Sequence, residues 1–337
     1  MGIEDASIQG ATIYDIASAA GGSPSTVSRV INNKSGVKKA TRDRVIKYLN
    51  EYNYSPNEAA RGLVNQSSKM IGILISDMRT THHTDGVYFI ERELSKLGYC
   101  CIIFNTGRED AEKSDYIQIL STRRVEAAAL IGSTFQSEMI AESIRTYMPN
   151  TPVILANGYL NLPNVYGVIA DEQSGVASCV ELLVKKGRRN LAFILNDATP
   201  SNLLKQNGFC TGIAQHLGTQ PHIVLAGIGK DDAYRATCTL MKEHPKTDGI
   251  VYSEDLLAVS GMRALKSMGY DVPKHVSVVG INNSAVAEIC TPTLTSLDNM
   301  LFDLSVTAAR NLIDVLQGKH VARKVMILST LVEREST

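Results

Sequence analysis

Ser25, Ser28, Arg29 and Asn32 fall at i, i+3, i+4 and i+7, the spacing that aligns side chains along one face of a helix. They form a strip of hydroxyl and amide groups around one guanidinium, the chemistry that reads base edges in a DNA groove. A catalytic constellation is not found: the chain has no G-x-S-x-G, no G-x-x-x-x-G-K-[ST] and no H-E-x-x-H. Gly227-Ile-Gly229 lacks a third glycine and reads as a turn. His82-His83 with Asp85 could suggest a metal, but adjacent imidazoles project in different directions from a helix or strand. No catalytic residue, metal or cofactor is assigned.

The Ser/Arg strip needs two short helices to hold it. Ile13, Ile16, Ala17 and Ala20 make one apolar face that Thr12 can cap, and Gly21-Gly22 ends it. Ser23-Pro24 opens a second helix, with Val27, Val30 and Ile31 inward and the polar strip outward. This is a helix-turn-helix pattern, though similar pairs occur inside ordinary helical domains. Charge distinguishes the two readings. Between Gly21 and Val64, eight basic residues (Arg29, Lys34, Lys38, Lys39, Arg42, Arg44, Lys47, Arg61) face three acidic ones (Asp43, Glu51, Glu58), whereas the whole chain balances at 34 of each. Positive charge is concentrated where a phosphate backbone would be met. A third helix, about Lys39 to Tyr52, sets Val45, Leu49 and Tyr52 on one face and closes a small core. Met1 to Ala11 reads as a loose tail.

The run Ser23-Pro-Ser-Thr-Val-Ser-Arg-Val-Ile-Asn-Asn33, with Thr41-Arg-Asp-Arg-Val45 and Tyr54-Ser-Pro-Asn-Glu-Ala-Ala-Arg-Gly-Leu63, resembles the headpiece of the lactose-repressor (LacI/GalR) family of bacterial transcription regulators. The resemblance implies base reading by Ser25 and Arg29, with Pro24 supplying shape, and phosphate contacts from Lys34, Arg42 and Arg61. It adds Thr12, Tyr14, Ser23, Thr26, Ser28, Asn32, Asn57 and Ala60 to the DNA-binding set. Family members commonly carry Ser or Thr where Lys38 precedes the third helix.

Asn57 to Val64 is too short to be helical alone in water, since isolated helices become marginal at about 12 residues. The resemblance implies a hinge helix that orders on DNA and inserts Leu63 into the minor groove; packing of Leu63 on the body is the alternative. Asn65 to Ser68 reads as a joint.

From Lys69 onward, apolar runs alternate with helical patterns. Strands are expected at Ile71–Ile75, Cys100–Phe104, Ala127–Ile131, Val153–Leu155, Val168–Ala170, Leu191–Leu195, His222–Leu225, Gly249–Tyr252 and Val276–Val279. Helices are expected at Val87–Leu97, Glu172–Lys185, Leu203–Leu217 and Leu256–Met268. Continuous apolar strands separated by helices mean parallel sheets covered on both faces. The expected fold is an N-terminal all-α helix-turn-helix headpiece joined to an α/β periplasmic-binding-protein-like body of two doubly wound parallel-sheet lobes. The domains are a headpiece at 12–56, hinge helix and linker at 57–68, and an effector-binding and dimerisation body at 69–337. Lobe 1 takes about 69–163 and 297–323, and lobe 2 about 164–296 and 324–337, with Lys324 to Leu331 in the second lobe.

Ligands in such sheets sit at the carboxyl ends of strands, here between the lobes. The resemblance places effector contacts at Asn157, where Asp is usual, Lys205, where Arg is usual, Glu254, where Asn is frequent, and Asn282, where Asp is usual; Ser76 and Asn299 join them. His82 and His83 stand where a phenylalanine pair is often found, making that wall more polar; exposure on the loop is the alternative. Exchanging Arg for Lys loses a planar fork, and Asp for Asn turns a pure acceptor into donor and acceptor. A sugar or sugar derivative is the first reading of the ligand, a nucleobase or phosphorylated metabolite the second. The chain has no Trp to stack on a sugar ring, and Tyr159 and Phe135 are candidate substitutes.

The expected activity is therefore ligand-controlled, sequence-specific transcription regulation, most simply repression. Its partners would be double-stranded pseudo-palindromic operator DNA, a small-molecule effector and a second copy of the chain. The few residues after Leu331 leave no room for heptads, so a dimer is expected. No apolar run of about 18 residues and no signal-peptide pattern occur, which predicts a cytoplasmic protein without membrane association. The six cysteines show no C-x-x-C spacing and read as reduced packing residues. A solute-binding receptor and a doubly wound metabolic enzyme are the competing classes.

Overall fold

The computed structural model describes residues 11–54 and 67–337. The expected hinge helix with Asn57, Ala60, Arg61 and Leu63, residues 65 and 66 of the joint, and Met1–Gly10 of the expected tail lie outside the described residues. The chain forms two compact units, Met1–Ser68 and Lys69–Thr337.

The first unit contains α1 (Ile13–Ala19), α2 (Pro24–Ile31) and α3 (Lys39–Glu51). A capping box starts α1: the Asp15 amide donates to Thr12 Oγ1 at 3.4 Å and the Thr12 amide to Asp15 Oδ2 at 2.8 Å. Gly21, at φ +62°, reverses the chain so that the Gly22 amide bonds the Ala17 carbonyl at 2.9 Å. Ser23 Oγ accepts from the Thr26 amide at 3.2 Å, with Pro24 in the first helical turn. Lys38 supplies no side-chain cap to α3. Ile16, Ala17, Ala20, Val27, Val30 and Val45 form the core. Tyr48 and Leu49 pack against it, but Tyr52, expected there, is exposed: α3 ends at Glu51, and Tyr54 packs on the core after the chain has turned.

The body begins with β1 (Met70–Ile75), α4 (Thr81–Lys96), β2 (Cys100–Asn105), α5 (Asp110–Thr122), β3 (Ala127–Ile131), α6 (Glu138–Tyr147), β4 (Val153–Ala156) and β5 (Val165–Ala170). It continues with α7 (Glu172–Lys185), β6 (Leu191–Leu195), α8 (Pro200–His216), β7 (His222–Leu225), α9 (Lys230–Glu243), β8 (Gly249–Tyr252), α10 (Asp255–Ser267), β9 (Ser277–Ile281), α11 (Ala285–Ile289) and β10 (Thr295–Asp298). It closes with α12 (Leu301–Leu316), β11 (Lys324–Ile327) and β12 (Thr330–Val332).

Two sheets result, ordered β11-β5-β4-β3-β1-β2 and β12-β10-β9-β8-β6-β7. In the first, β1 lies between β2 and β3, with Ile71 opposite both Cys101 and Ala127; in the second, Ala192 of β6 lies opposite His222 and Ile250. Strands such as Ala-Ala-Ala-Leu-Ile in β3 are buried on both faces, as a covered parallel sheet requires. Ile90 and Leu94 of α4 and Leu304 and Leu312 of α12 cover one face of the first sheet, and Ile117, Leu120, Ile140 and Ile144 of α5 and α6 the other. In the second, Leu240, Leu257 and Leu265 of α9 and α10 oppose Val180, Leu183, Phe209 and Ile213 of α7 and α8.

Three expectations are corrected. First, Val165–Ala170 and Lys324–Ile327 both belong to the first sheet, not to lobe 2, and the chain crosses between lobes after Ala170, after Asp298 and between Ile327 and Thr330. Lateral backbone pairing decides this: the Gly167 amide bonds the Arg323 carbonyl at 2.9 Å and the Asp171 amide the Ile327 carbonyl at 2.8 Å. Gly167 is also approached so closely that an added Cβ would lie 2.3 Å from the Gly158 carbonyl oxygen, so the β4–β5 connection can fold over β5 only without a side chain there. Second, the described residues hold more than the nine expected strands, and β12 pairs antiparallel to β10. Third, all six cysteines are free; Cys179 is buried, as a packing residue should be, but Cys100 is exposed.

Candidate functional site

Two groups of side chains qualify, one on each unit. On α2, burial of Val27 and Val30 turns Ser25 and Arg29 to solvent. Ser28 and Asn32 are only half-exposed, and Asn32 Nδ2 donates to the Ser28 carbonyl at 2.8 Å and Ser28 Oγ at 3.3 Å. The strip therefore narrows to Ser25 and Arg29, with Asn32 closing the helix end. Ser23 Oγ lies 2.7 Å from Ser25 Oγ and 3.0 Å from Thr26 Oγ1, a hydroxyl cluster at the start of α2. Arg42, expected on a phosphate, is engaged within the protein: its guanidinium donates to Asn33 Oδ1 at 2.8 Å and to the Lys34 carbonyl at 2.9 Å, fastening the α2–α3 loop. Lys34 is exposed, Thr12 is committed to its capping box, and Tyr14 projects from α1 at 70% exposure.

In the body, a cleft open to solvent is lined by Ser76, His82, His83, Asn157, Lys205, Glu254 and Asn282, which the chain spreads over some two hundred positions. Each sits at the carboxyl end of a strand or in the helix that follows it, where parallel sheets place ligands. Asn299 is buried behind the lining: its Nδ2 donates to Asn282 Oδ1 at 3.2 Å and to Glu172 Oε1 at 3.3 Å. Both histidines stand on the first turn of α4 in the cleft wall, not on a solvent loop. Gly132, at φ +106°, lets the β3 loop approach His83 so closely that a Cβ would stand 3.0 Å from Nε2. Burial, with the positive charge of Lys205 nearby, holds His82 down to about 3 and lowers His83, so both imidazoles are neutral at physiological pH. His83 Nδ1 and Thr134 Oγ1 are buried with no hydrogen-bond partner among the described residues.

Glu172, not foreseen from the sequence, is the centre of the cleft floor. Its Oε1 accepts from Ser201 Oγ at 2.7 Å, Asn299 Nδ2 at 3.3 Å and Asn157 Nδ2 at 3.4 Å, and faces Lys205 Nζ at 3.6 Å. Lys205 also reaches the Ser253 carbonyl at 3.2 Å and Asn202 Oδ1 at 3.4 Å. Glu172 begins α7 immediately after the first crossing and Asn299 marks the second; Ser329 Oγ, at the third, donates to Asn299 Oδ1 at 3.1 Å. One hydrogen-bonded chain thus ties all three crossings to the cleft. Arg108, Asn196, Asp197, Ser133, Thr134 and Asn202 were also missed. Arg108 follows β2 and Asp197 follows β6, and the two bridge the lobes at 3.1 Å. Position after a strand end was the signal that would have found them.

Below the cleft, Asp255 accepts from the Ser284 amide and hydroxyl at 2.6 and 2.7 Å and from Ser296 Oγ at 2.6 Å, fixing the turn in which Asn282 and Asn283 adopt positive φ. Burial raises its carboxyl to about 6 despite those donors. Tyr159 and Phe135, offered as stacking rings, do not line the cleft: Phe135 is buried under Lys113 Nζ at 5.5 Å, and the Tyr159 ring lies 5.8 Å from Lys324 Nζ.

Comparison with known proteins bears on both groups. Residues 12–57 match the family model for bacterial regulatory proteins of the lacI family, and residues 180–337 that for a periplasmic binding protein-like domain. The chain is 33% identical to an HTH-type transcriptional regulator of Lachnoclostridium phytofermentans, across 96% of this chain and 99% of that one. It is 29% identical to the ribose operon repressor of Halalkalibacterium halodurans, across 97% of each. Its fold is that of the lac repressor dimer bound to operator and the anti-inducer ONPF, with TM-score 0.90 and 24% identity over 97% of this chain and 99% of that one. A LacI family regulator from Enterococcus faecium with bound ribose superposes at TM-score 0.71, with 22% identity over 80% of this chain and 98% of that one. Among the described residues, no helix is long and apolar enough to cross a membrane.

Proposed function

Because the chain belongs to the LacI family of bacterial regulatory proteins, we propose that it is a cytoplasmic repressor whose affinity for its operator is set by a small sugar or sugar derivative in the interlobe cleft. The observation that carries this reading is the exposure of Ser25 and Arg29 on the outer face of a helix whose valines are buried. Ser25 and Arg29 read base edges in the major groove, the Arg29 fork matching guanine acceptors. Lys34, Tyr14 and the hydroxyls of Ser23 and Thr26 orient the headpiece on the backbone, while Thr12 caps α1. Arg42 supports the loop that carries Lys34, and Pro24 shapes the helix start. Asn57, Ala60, Arg61 and Leu63 extend the contact toward the minor groove. Two copies of the chain, joined through the body, meet a pseudo-palindromic site.

In the cleft, Ser76, His82, His83, Asn157, Lys205, Glu254 and Asn282 contact the effector, while Asn299 holds Glu172 and Asn282 from behind. The polar lining favours a ligand that hydrogen-bonds on every side. The names of the ribose operon repressor and of the ribose-bound regulator support a sugar. Effector binding shifts the lobes and thereby the DNA-competent state, a coupling of about 1 to 3 kcal/mol in typical cases. The test is a binding titration against promoter DNA and random duplex across a salt series. A steep salt dependence with a marked preference for one sequence is expected. Equal affinity for both duplexes at every salt concentration overturns the reading.

A further inference from the structure

The charges that line the cleft do not cancel, and the residue that unbalances them is identifiable. Five charged side chains line it: Arg108, Glu172, Asp197, Lys205 and Glu254. Lys205 Nζ stands 3.6 Å from Glu172, both side chains almost wholly buried, and Arg108 Nη1 stands 3.1 Å from Asp197. His82 and His83 add nothing at neutral pH because burial keeps them unprotonated. Glu254 is left. Among the described residues its carboxylate accepts one hydrogen bond, from Asn196 Nδ2 to Oε1 at 2.8 Å, and no cation lies within ion-pair distance of it.

Glu254 occupies the N-cap position of α10, yet its side chain makes no cap bond to that helix and faces the cleft instead. The lining offers no aromatic ring besides the two imidazoles and no aliphatic side chain.

From this balance we propose that the cleft takes a sugar or polyol carrying a protonated amine, with the ammonium group seated against Glu254 beside Asn196. The proposal rests on the cleft being the effector site. An ammonium supplies several donors to an acceptor-only carboxylate and neutralises the one unmatched charge. A neutral hydroxyl leaves the excess charge in place. A carboxylate or phosphate sets like charge against Glu254 while both cleft cations are already paired.

The experiment is isothermal titration of the full-length protein at pH 6.5 with matched gluco, galacto and manno sets, each comprising the hexosamine, the neutral hexose and the hexuronate. Thermal shift on the same panel serves as a second readout. In at least one set the hexosamine is expected to bind tenfold or more tightly than its neutral counterpart, with the hexuronate weakest. Glu254→Gln and Glu254→Asn should each bring the hexosamine to within threefold of the neutral hexose, and Glu254→Asp should retain the preference. Stronger binding by the neutral or acidic member, or a hexosamine preference that survives Glu254→Gln, overturns the proposal while leaving the cleft a sugar site. Absence of binding by all nine compounds overturns both the proposal and the sugar reading on which it rests.

Discussion

The headpiece and the cleft use similar side chains in opposite ways. The headpiece strip comes from one short run, and each of its structural supports lies within a few residues: Asp15 for Thr12, Thr26 for Ser23, Ser28 for Asn32. The cleft draws on strand ends from both lobes, and its central carboxylate holds partners 15, 29 and 127 positions away. Local hydrogen bonds build a surface to be pressed against a partner, whereas long-range ones build a cavity that a ligand can rearrange. The two should consequently fail independently.

Gly167→Ala gives the sharpest separation. A Cβ there meets the Gly158 carbonyl at 2.3 Å, and overpacking of this kind costs about 3 kcal/mol. Urea unfolding of the body should move by that amount, while the headpiece transition stays in place; a shared shift would mean that the two units unfold together. Arg29→Ala is expected to remove about 1 to 3 kcal/mol of discrimination between operator and random DNA, leaving the thermal shift produced by a cleft ligand intact. Retained discrimination in a competition binding assay would dismiss Arg29 as a reader. Ser23→Ala removes a helix cap and should lower headpiece stability by about 1 kcal/mol, followed by the helical circular-dichroism signal, without altering ligand affinity.

The smallest contrast comes from pH. No histidine lies between residues 11 and 54, so headpiece stability should be flat from pH 7 to 6. The body differs. His82 has a folded value of about 3 against the usual 6.5, so the unfolded chain binds the proton first and stability falls as pH drops below 7. Asp255 acts in the opposite sense: its folded value is raised to about 6, so acidification through that range stabilises the fold. Differential scanning calorimetry should show His82→Gln flattening the body's pH slope and Asp255→Asn steepening it. An unchanged slope in His82→Gln would mean that His82 is not held neutral in the cleft.

Some features were legible early and others were not. Thr12, Ser23 and the Gly21-Gly22 turn announce their helices because caps and left-handed turns are local events. Tyr52 misled because its spacing continued a helical face past the last helical turn. Ser28, Asn32 and Arg42 had the right chemistry for DNA, but their mutual bonds and loop contacts could not be read from spacing. Glu172 looked like an ordinary helix-opening acid, and only the arrival of Asn157, Ser201, Lys205 and Asn299 makes it the centre of the floor.

By itself the sequence determined a basic three-helix headpiece presenting Ser25 and Arg29, and a body of alternating strands and helices with polar residues at strand ends. Interactions that span a few residues, or one period of a helix or strand, suffice for that. Only the tertiary structure decided that β5 and β11 join the first sheet, that Glu172 joins three crossings to the cleft, and that Glu254 is left without a counter-charge. Each of these depends on which distant backbone edge or side chain comes to lie alongside, and that choice is made by the packing of whole layers.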